Sequence, residues 1–454
     1  MGKKKIKVDD PYALKKAFTK GDLFTKLSVI ICGFGCIMRK QVVKGILMLL
    51  IEVGYILFMV NSGFHNLSLI GSLGTQKQGE VWNEAAGVYE YTQGDNSVLI
   101  LLYAVATIFL TLAFIVFWAL QLKHAYKLQT YQEEGREIPT LKEDIASLFD
   151  KNLHCTLMFL PSLGILFLNI IPLFYMILMA FTNYSKKGDH QVLFDWVGLK
   201  VFAEVLDFRS DTGKQFWGVL IWTIVWAIFA TFLNYIMGMI LAMLINRKRT
   251  RLKSMWRFFF VLSVAVPQFV SLMIISIMLQ DHGAVNVMLQ NAGIISSPIP
   301  WLSNAAWARV TVIVVNLWVG IPYTMLQVTG ILQNIPSELY EAAKVDGAGP
   351  VTIFFKITLP YMLFVTTPYL ITAFTGNVNN FNVIYLLTGG GPTPVGNTAG
   401  KTDLLVTWLF KLTVEQQYFN VGAVIGILTF VVLSIIALVT YRNSGSYKNE
   451  EAFM

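Results

Sequence analysis

Apolar residues in this chain gather into long runs separated by short polar stretches. A membrane-crossing helix needs about 20 mostly apolar residues, each rising about 1.5 Å, to traverse about 30 Å of hydrocarbon. Eight runs reach that length: Val42 to Val60, Val98 to Leu120, Thr156 to Phe181, Trp217 to Ile245, Phe258 to Leu279, Ala308 to Ile331, Tyr361 to Leu387 and Tyr418 to Tyr441. A ninth, Leu27 to Met38, contains Gly33 and Gly35 and is too short to cross, which predicts an interfacial or re-entrant segment. The pattern predicts an all-α polytopic membrane protein with about eight transmembrane helices.

An even number of spans places both termini on one side. Assigning loops alternately puts 26 Lys and Arg on the side of the termini and 9 on the other, so both termini are expected in the cytoplasm. The lysine-rich start, Lys3 to Lys7, has no small-residue cleavage site after it and is expected to be a retained cytoplasmic tail. The loops Asn61 to Ser97 and Thr182 to Phe216 then lie outside, each large enough for a small cap but not for a domain.

Composition agrees and narrows the chemistry. The chain is 55% hydrophobic and 14% charged, with mean hydropathy +0.59, whereas a soluble domain carries about 25% charged residues. The modest charge of +8 follows from bilayer orientation, which argues against a nucleic-acid partner. Cys32, Cys36 and Cys155 are too few for a disulfide scaffold; the first two lie in an apolar run and read as packing residues, so no metal site is expected. Glu52 is the only acid well inside a span. A proton relay would need partner acids or histidines on other spans, so Glu52 reads as a packing feature.

The loop after the sixth run has its own pattern. Ser337 can cap a short helix through Ala343, Gly347 and Gly349 break it, Pro350 suits the first turn of a second run from Thr352 to Thr358, and Pro360 opens the next span. Two alanines allow close approach to a partner surface, Gly347 supplies a reversal, and Glu341 can pair with a cation. The stretch Gly396 to Thr402 imitates a phosphate-binding loop but has three residues between its glycines where four are needed, no preceding strand and an outer location. The chain is therefore expected to have no catalytic residues and no ATP site of its own.

Glu341, Ala342, Ala343, Gly347, Ile357, Leu359 and Pro360 match every fixed position of the EAA signature of importer-type ABC permeases, and the chain resembles that family. The stretches Phe181 to Tyr184, Asp195 to Leu199, Pro300 to Leu302, Asn316 to Tyr323, Asn379 to Phe381 and Thr388 to Pro392 look like the larger, MalF-type permease subunit of maltose and maltodextrin importers. This resemblance implies a type I importer permease fold, with the loop 336–360 fitting a cleft on an ATPase. It divides the chain into a tail with an interfacial segment (1–44), three N-terminal spans (45–181), an outer loop (182–216), a core permease domain with spans four to eight (217–441) and a second tail (442–454). It also implies partners: a MalG-type permease, an ATPase dimer that binds the ATP and magnesium, an extracellular solute-binding protein, the oligosaccharide and membrane lipid. The enteric members have a large extracytoplasmic domain where this chain has about 35 residues, which suggests a Gram-positive cell membrane with a lipid-tethered binding protein.

Interruptions within spans are tolerated beside protein or a watery cavity, and they predict the transport path. Pro267 interrupts span five, Gly320 and Pro322 span six, Gly376 with Asn377, Asn379 and Asn380 span seven, and Pro161 and Pro172 span three. Neutral amides suit sugar hydroxyls, although the same asparagines would also serve in helix-to-helix hydrogen bonds. The resemblance points to Gly320, Tyr323, Asn377 and Asn380 as sugar contacts, with Gly376 in place of an aromatic. The expected function is translocation of an oligosaccharide, maltose or maltodextrin first, by alternating access. The alternatives are another oligosaccharide such as a galacto-oligosaccharide, or an ion-coupled secondary sugar transporter, which would need buried charges and self-related halves that are not visible here.

Overall fold

The computed structural model describes residues 10–84, 87–247 and 249–443. The lysine-rich start and nearly all of the 442–454 tail lie outside the described residues. Among the described residues seven helices are long and apolar enough to cross a membrane: Val42–Leu69, Ser97–Glu133, Leu153–Met179, Asp211–Asn246, Ala305–Gln333, Pro350–Thr388 and Phe419–Arg442. An eighth crossing is a broken pair, Lys253–Ala265 and Gln268–Met278, bent by 85°. The bend falls at Pro267, which has no N–H for the helical ladder and pushes Val266 into an extended conformation. The chain separates into two compact units, one of residues 1–184 with 188–196 and one of 185–187 with 197–454.

The first unit holds the first three spans. Short helices at Leu14–Lys20, Leu23–Leu27 and Phe34–Ile37 lie beside the second span. The Leu27 to Met38 segment does not cross. Its turns leave backbone groups open, and side chains from the neighbouring spans take them up. The Cys32 amide donates to the Glu52 carboxylate (2.7 Å), the Gly33 amide to Gln121 Oε1 (3.2 Å), and Gln121 and Trp118 donate to the Ser28 and Val29 carbonyls. Glu52 is thus the acceptor that closes a re-entrant turn in an apolar setting, and Cys32 and Cys36 are fully buried. The first outer loop contains an antiparallel hairpin, β1 (Gly79–Asn83) and β2 (Val88–Thr92), a small exception to the all-α expectation.

The second unit holds the remaining spans. Between helices in lipid, packing and hydrogen bonds replace the hydrophobic effect as the source of association, so small residues mark close contacts. Gly238 on the fourth span is one: a Cβ there would lie 2.7 Å from the Thr324 side chain of the sixth. One core gathers Trp222, Trp226, Leu272, Val312 and Ile384; another gathers Tyr235, Met239, Met325, Val328 and Met362.

Two sequence expectations need correction. The sixth span is one unbroken helix through Gly320 and Pro322; only one ladder bond is lost at the proline, and Thr324 Oγ1 donates to the Gly320 carbonyl (3.0 Å) within that turn. The seventh span does not begin near Tyr361 but runs without a break from Pro350, through a widened turn at Phe354–Thr358 that accommodates Pro360.

Candidate functional site

The loop after the sixth span folds as two helices around a sharp reversal. Ser337–Val345 forms the first, opened by Pro336 at the cap position; Ser337 is its first helical residue and not the cap. Pro336 offers no side-chain acceptor, and the Leu339 amide donates to the Pro336 carbonyl instead (3.3 Å). Gly347 adopts φ +76°, a left-handed conformation that side chains resist, and its amide donates to the Lys344 carbonyl. Pro350 then starts the second helix.

Leu339, Val345, Val351 and Phe355 are exposed here, Val345 to 87%, beside the exposed Glu341, Ala342 and Pro360. Ala343, Ile357 and Leu359 are half-buried. The inner face is tied to the spans: Tyr340 OH pairs with Thr358 Oγ1 (3.2 Å), and Tyr340, Phe354 and Leu359 pack against the core around Met325 and Met362. An exposed apolar knob at one end of a 39-residue span is therefore joined to the core at its base.

The predicted path residues occupy the sixth and seventh spans. The seventh is interrupted at Asn379 and Asn380, between Leu359–Val378 and Phe381–Thr388. Asn380 caps the second piece, its Oδ1 accepting from the Val383 amide (3.2 Å). Asn377 Nδ2 donates to Thr231 Oγ1 on the fourth span (3.0 Å), and the Asn377 carbonyl accepts from Trp226 Nε1 (3.0 Å). Asn380 Nδ2 reaches Asn377 Oδ1 at 3.5 Å, so these two amides are neighbours. Gly376 is exposed with open space where a Cβ would stand, and Tyr323 is 51% exposed. Gly320 differs: a Cβ there would run into the Asn234 amide, so its smallness admits a neighbour from the fourth span.

Asn234 and Asn316 were not among the expected site residues. Both are buried, Asn234 directly after the widened turn Phe229–Leu233, and Asn234 Oδ1 and Asn316 Nδ2 have no hydrogen-bond partner among the described residues. Their signal was available, since each is an amide inside an apolar run. On the outer side, the Gly396 to Thr402 stretch is a loop pinned by Gln215 Oε1, which accepts from the Thr398 and Ala399 amides (2.8 and 3.0 Å). Beneath it Asp403 and Lys411 form a buried ion pair at 2.7 Å. Burial pushes the Asp403 carboxyl up, with Lys411, the Gly400 amide and Thr407 opposing the shift. Among the described residues no cluster of three or more His, Cys, Asp or Glu is placed to hold a metal.

Residues 234–445 match the family described as binding-protein-dependent transport system inner membrane component. The chain is 36% identical to the galactooligosaccharides transport system permease protein GanP of Bacillus subtilis, over 93% of this chain and 97% of that protein. It is 33% identical to the maltodextrin transport system permease protein MdxF of the same organism, over 93% and 95%. Its fold resembles a chain of a bacterial alginate ABC transporter solved with a pentasaccharide-bound periplasmic protein, with a TM-score of 0.54 and 22% identity over 66% of this chain and 95% of that one. The exposed two-helix knob, the broken multi-pass helices and near full-length similarity together place the chain in the family of binding-protein-dependent transport system inner membrane components, the permeases of ABC importers.

Proposed function

We propose that the chain is the larger permease half of an ATP-driven importer of neutral oligosaccharides, with maltose and maltodextrins as cargo. The observation that carries this reading is the knob Ser337–Val345, with its Gly347 reversal, built onto the seventh span. An ATPase that binds the exposed Leu339, Val345, Val351 and Phe355 would move the rod from Pro350 to Val378, and with it the segment that carries Gly376, Asn377 and Asn380. Glu341, Ala342, Ala343, Gly347, Ile357, Leu359 and Pro360 act in that coupling; Gly320, Tyr323, Gly376, Asn377 and Asn380 serve the sugar path. ATP and magnesium are held by the ATPase dimer and not by this chain. A MalG-type permease supplies the other half of the path, and an extracellular binding protein delivers the sugar. A Gram-positive cell membrane is supported by the Bacillus origin of both close relatives.

A galacto-oligosaccharide cargo is the second reading, favoured by the 36% identity to the galactooligosaccharide permease. The test is vesicle uptake by the reconstituted complex with maltotriose and galactotriose supplied separately, with and without ATP on the cytoplasmic side. ATP-dependent accumulation of maltotriose supports the first reading, and of galactotriose alone the second. Accumulation that follows an ion gradient without ATP would overturn both.

A further inference from the structure

The first outer loop carries a feature that the proposed path through spans six and seven does not use. In the hairpin, Trp82 pairs with Tyr89 and Glu80 with Tyr91. Alternation along each strand puts these four side chains on one face. Trp82, Tyr89 and Tyr91 are 50%, 67% and 65% exposed, and the Trp82 and Tyr89 rings meet edge to face at 5.0 Å. A lone two-stranded hairpin is marginally stable and gains by covering its aromatic face, yet here that face is open.

The base of the hairpin is nevertheless fixed. Asp95 Oδ2 accepts from the Thr75 and Gln76 amides (2.8 and 2.9 Å), and the Asp95 amide donates to the Gln76 carbonyl (2.8 Å). Asn96 follows as the cap of the second span, so the hairpin stands on the end of a long helix. Gly94 has φ +65° and lies so close to the Gln76 to Gln78 backbone that a side chain would not fit.

Tyr91 leads from the aromatic face into a cavity of about 690 Å³, whose walls also include His65, Asn66, Gln78, Gln93 and Tyr103. Its size is in the range of small-molecule sites. Ring faces suit the C–H faces of a pyranose, and amides suit its hydroxyls. The charge of the loop weighs against the other use of exposed aromatics, anchoring in a headgroup layer: residues 71–96 hold one lysine and four acids, a balance that an anionic lipid surface repels.

We infer that the hairpin face of Trp82, Tyr89 and Tyr91, together with the cavity beside Tyr91 and Tyr103, is an extracytoplasmic oligosaccharide-binding site distinct from the path through spans six and seven. It rests on the oligosaccharide reading above and adds selectivity: three exposed rings and the adjoining cavity offer contacts to several sugar units at once, more than a disaccharide can fill.

The test uses the complete transporter in vesicles, with uptake of maltose and maltotetraose, or of galactobiose and galactotetraose, measured against concentration. Replacing Tyr89 and Tyr91 together by Ala should raise the KM for the tetrasaccharide at least fivefold and leave disaccharide uptake within twofold. The paired change to Phe keeps the ring faces and should restore the tetrasaccharide KM. Saturation-transfer NMR on the complex in nanodiscs should show tetrasaccharide contact with aromatic protons that weakens in the Ala variant. Equal KM changes for both lengths, or none, would overturn the site, as would quenching of Trp82 by brominated lipid, which would mark the face as a bilayer anchor. Intact ATP-driven disaccharide uptake in those cases would remove the outer site alone; failure of the unmodified transporter to move any oligosaccharide would remove the functional reading itself.

Discussion

Asn377 is bonded to the fourth span through its own amide and through its carbonyl, so its effect on transport has to be separated from its effect on packing. Thr231 allows this, because Thr231→Val removes the same interhelical bond without removing an amide from the path. A single bond between membrane helices is worth about 0.6 kcal/mol, whereas a buried sugar hydroxyl left without a partner costs about 1–3 kcal/mol. Asn377→Leu should therefore lower oligosaccharide uptake about fivefold or more with basal ATPase activity retained, while Thr231→Val stays within about threefold of wild type; equal losses in the two would assign Asn377 to packing. The pair Asp403 and Lys411 gives a second residue-level expectation. Asp403 is fully buried and also accepts from the Gly400 amide (2.7 Å) and Thr407 Oγ1 (2.9 Å). Asp403→Leu leaves a buried ammonium without its counter-charge, at a cost of about 3–5 kcal/mol, whereas Asp403→Leu with Lys411→Met should regain much of the loss. Thermal unfolding of the detergent-solubilised complex would show this as a large drop in Tm that the second substitution reverses.

At the scale of elements, the proposed coupling makes the Gly347 reversal and the helical run that follows it one lever. A Cβ on Gly347 would stand in open space, so Gly347→Val is opposed by the φ of +76° and not by crowding. It should disturb the knob alone: the complex inserts and binds ATP, but uptake falls at least tenfold relative to hydrolysis. Glu341→Lys should uncouple in the same way through charge reversal on an exposed face, and wild-type uptake per ATP in both variants would remove the coupling role. These elements were largely legible beforehand. Apolar runs and the positions of Gly347 and Pro350 depend on local chemistry, and the 85° break at Pro267 follows from a missing N–H. The unbroken sixth span and the merging of the second loop helix with the seventh were not legible, since a proline announces a lost bond but not whether neighbouring helices hold the axis straight. Nor was the contact of Gly320 with Asn234, because a glycine in a span records that something lies close without saying whether it is a sugar or another helix.

At the scale of the whole molecule, the sixth span has two different sides. Ala308, Val312, Val315 and Asn316 are buried, while Trp307, Val310, Val314 and Trp318 form an exposed stripe at helical spacing, with Tyr323 also exposed below it. A stripe of aliphatic residues and tryptophans suits lipid or another helix, and the exposed Tyr323, Gly376 and Asn379 need an enclosing wall if they are to line a path. On the proposed reading one knob serves one ATPase, and alternating access requires two halves that rock against each other. The active particle should therefore contain this chain once, a second and different permease once, and two ATPase copies. Native mass spectrometry of the complex purified through a tag on this chain would give that composition directly. Cysteine at Val314 or Trp318, paired with cysteines along the partner permease, should cross-link with an efficiency that changes when ATP is bound and trapped, because only a face between the moving halves senses closure. A transport-competent homodimer of this chain, or cross-linking at these positions only to itself, would mean that the stripe is a self-association surface and that both halves of the path come from one sequence.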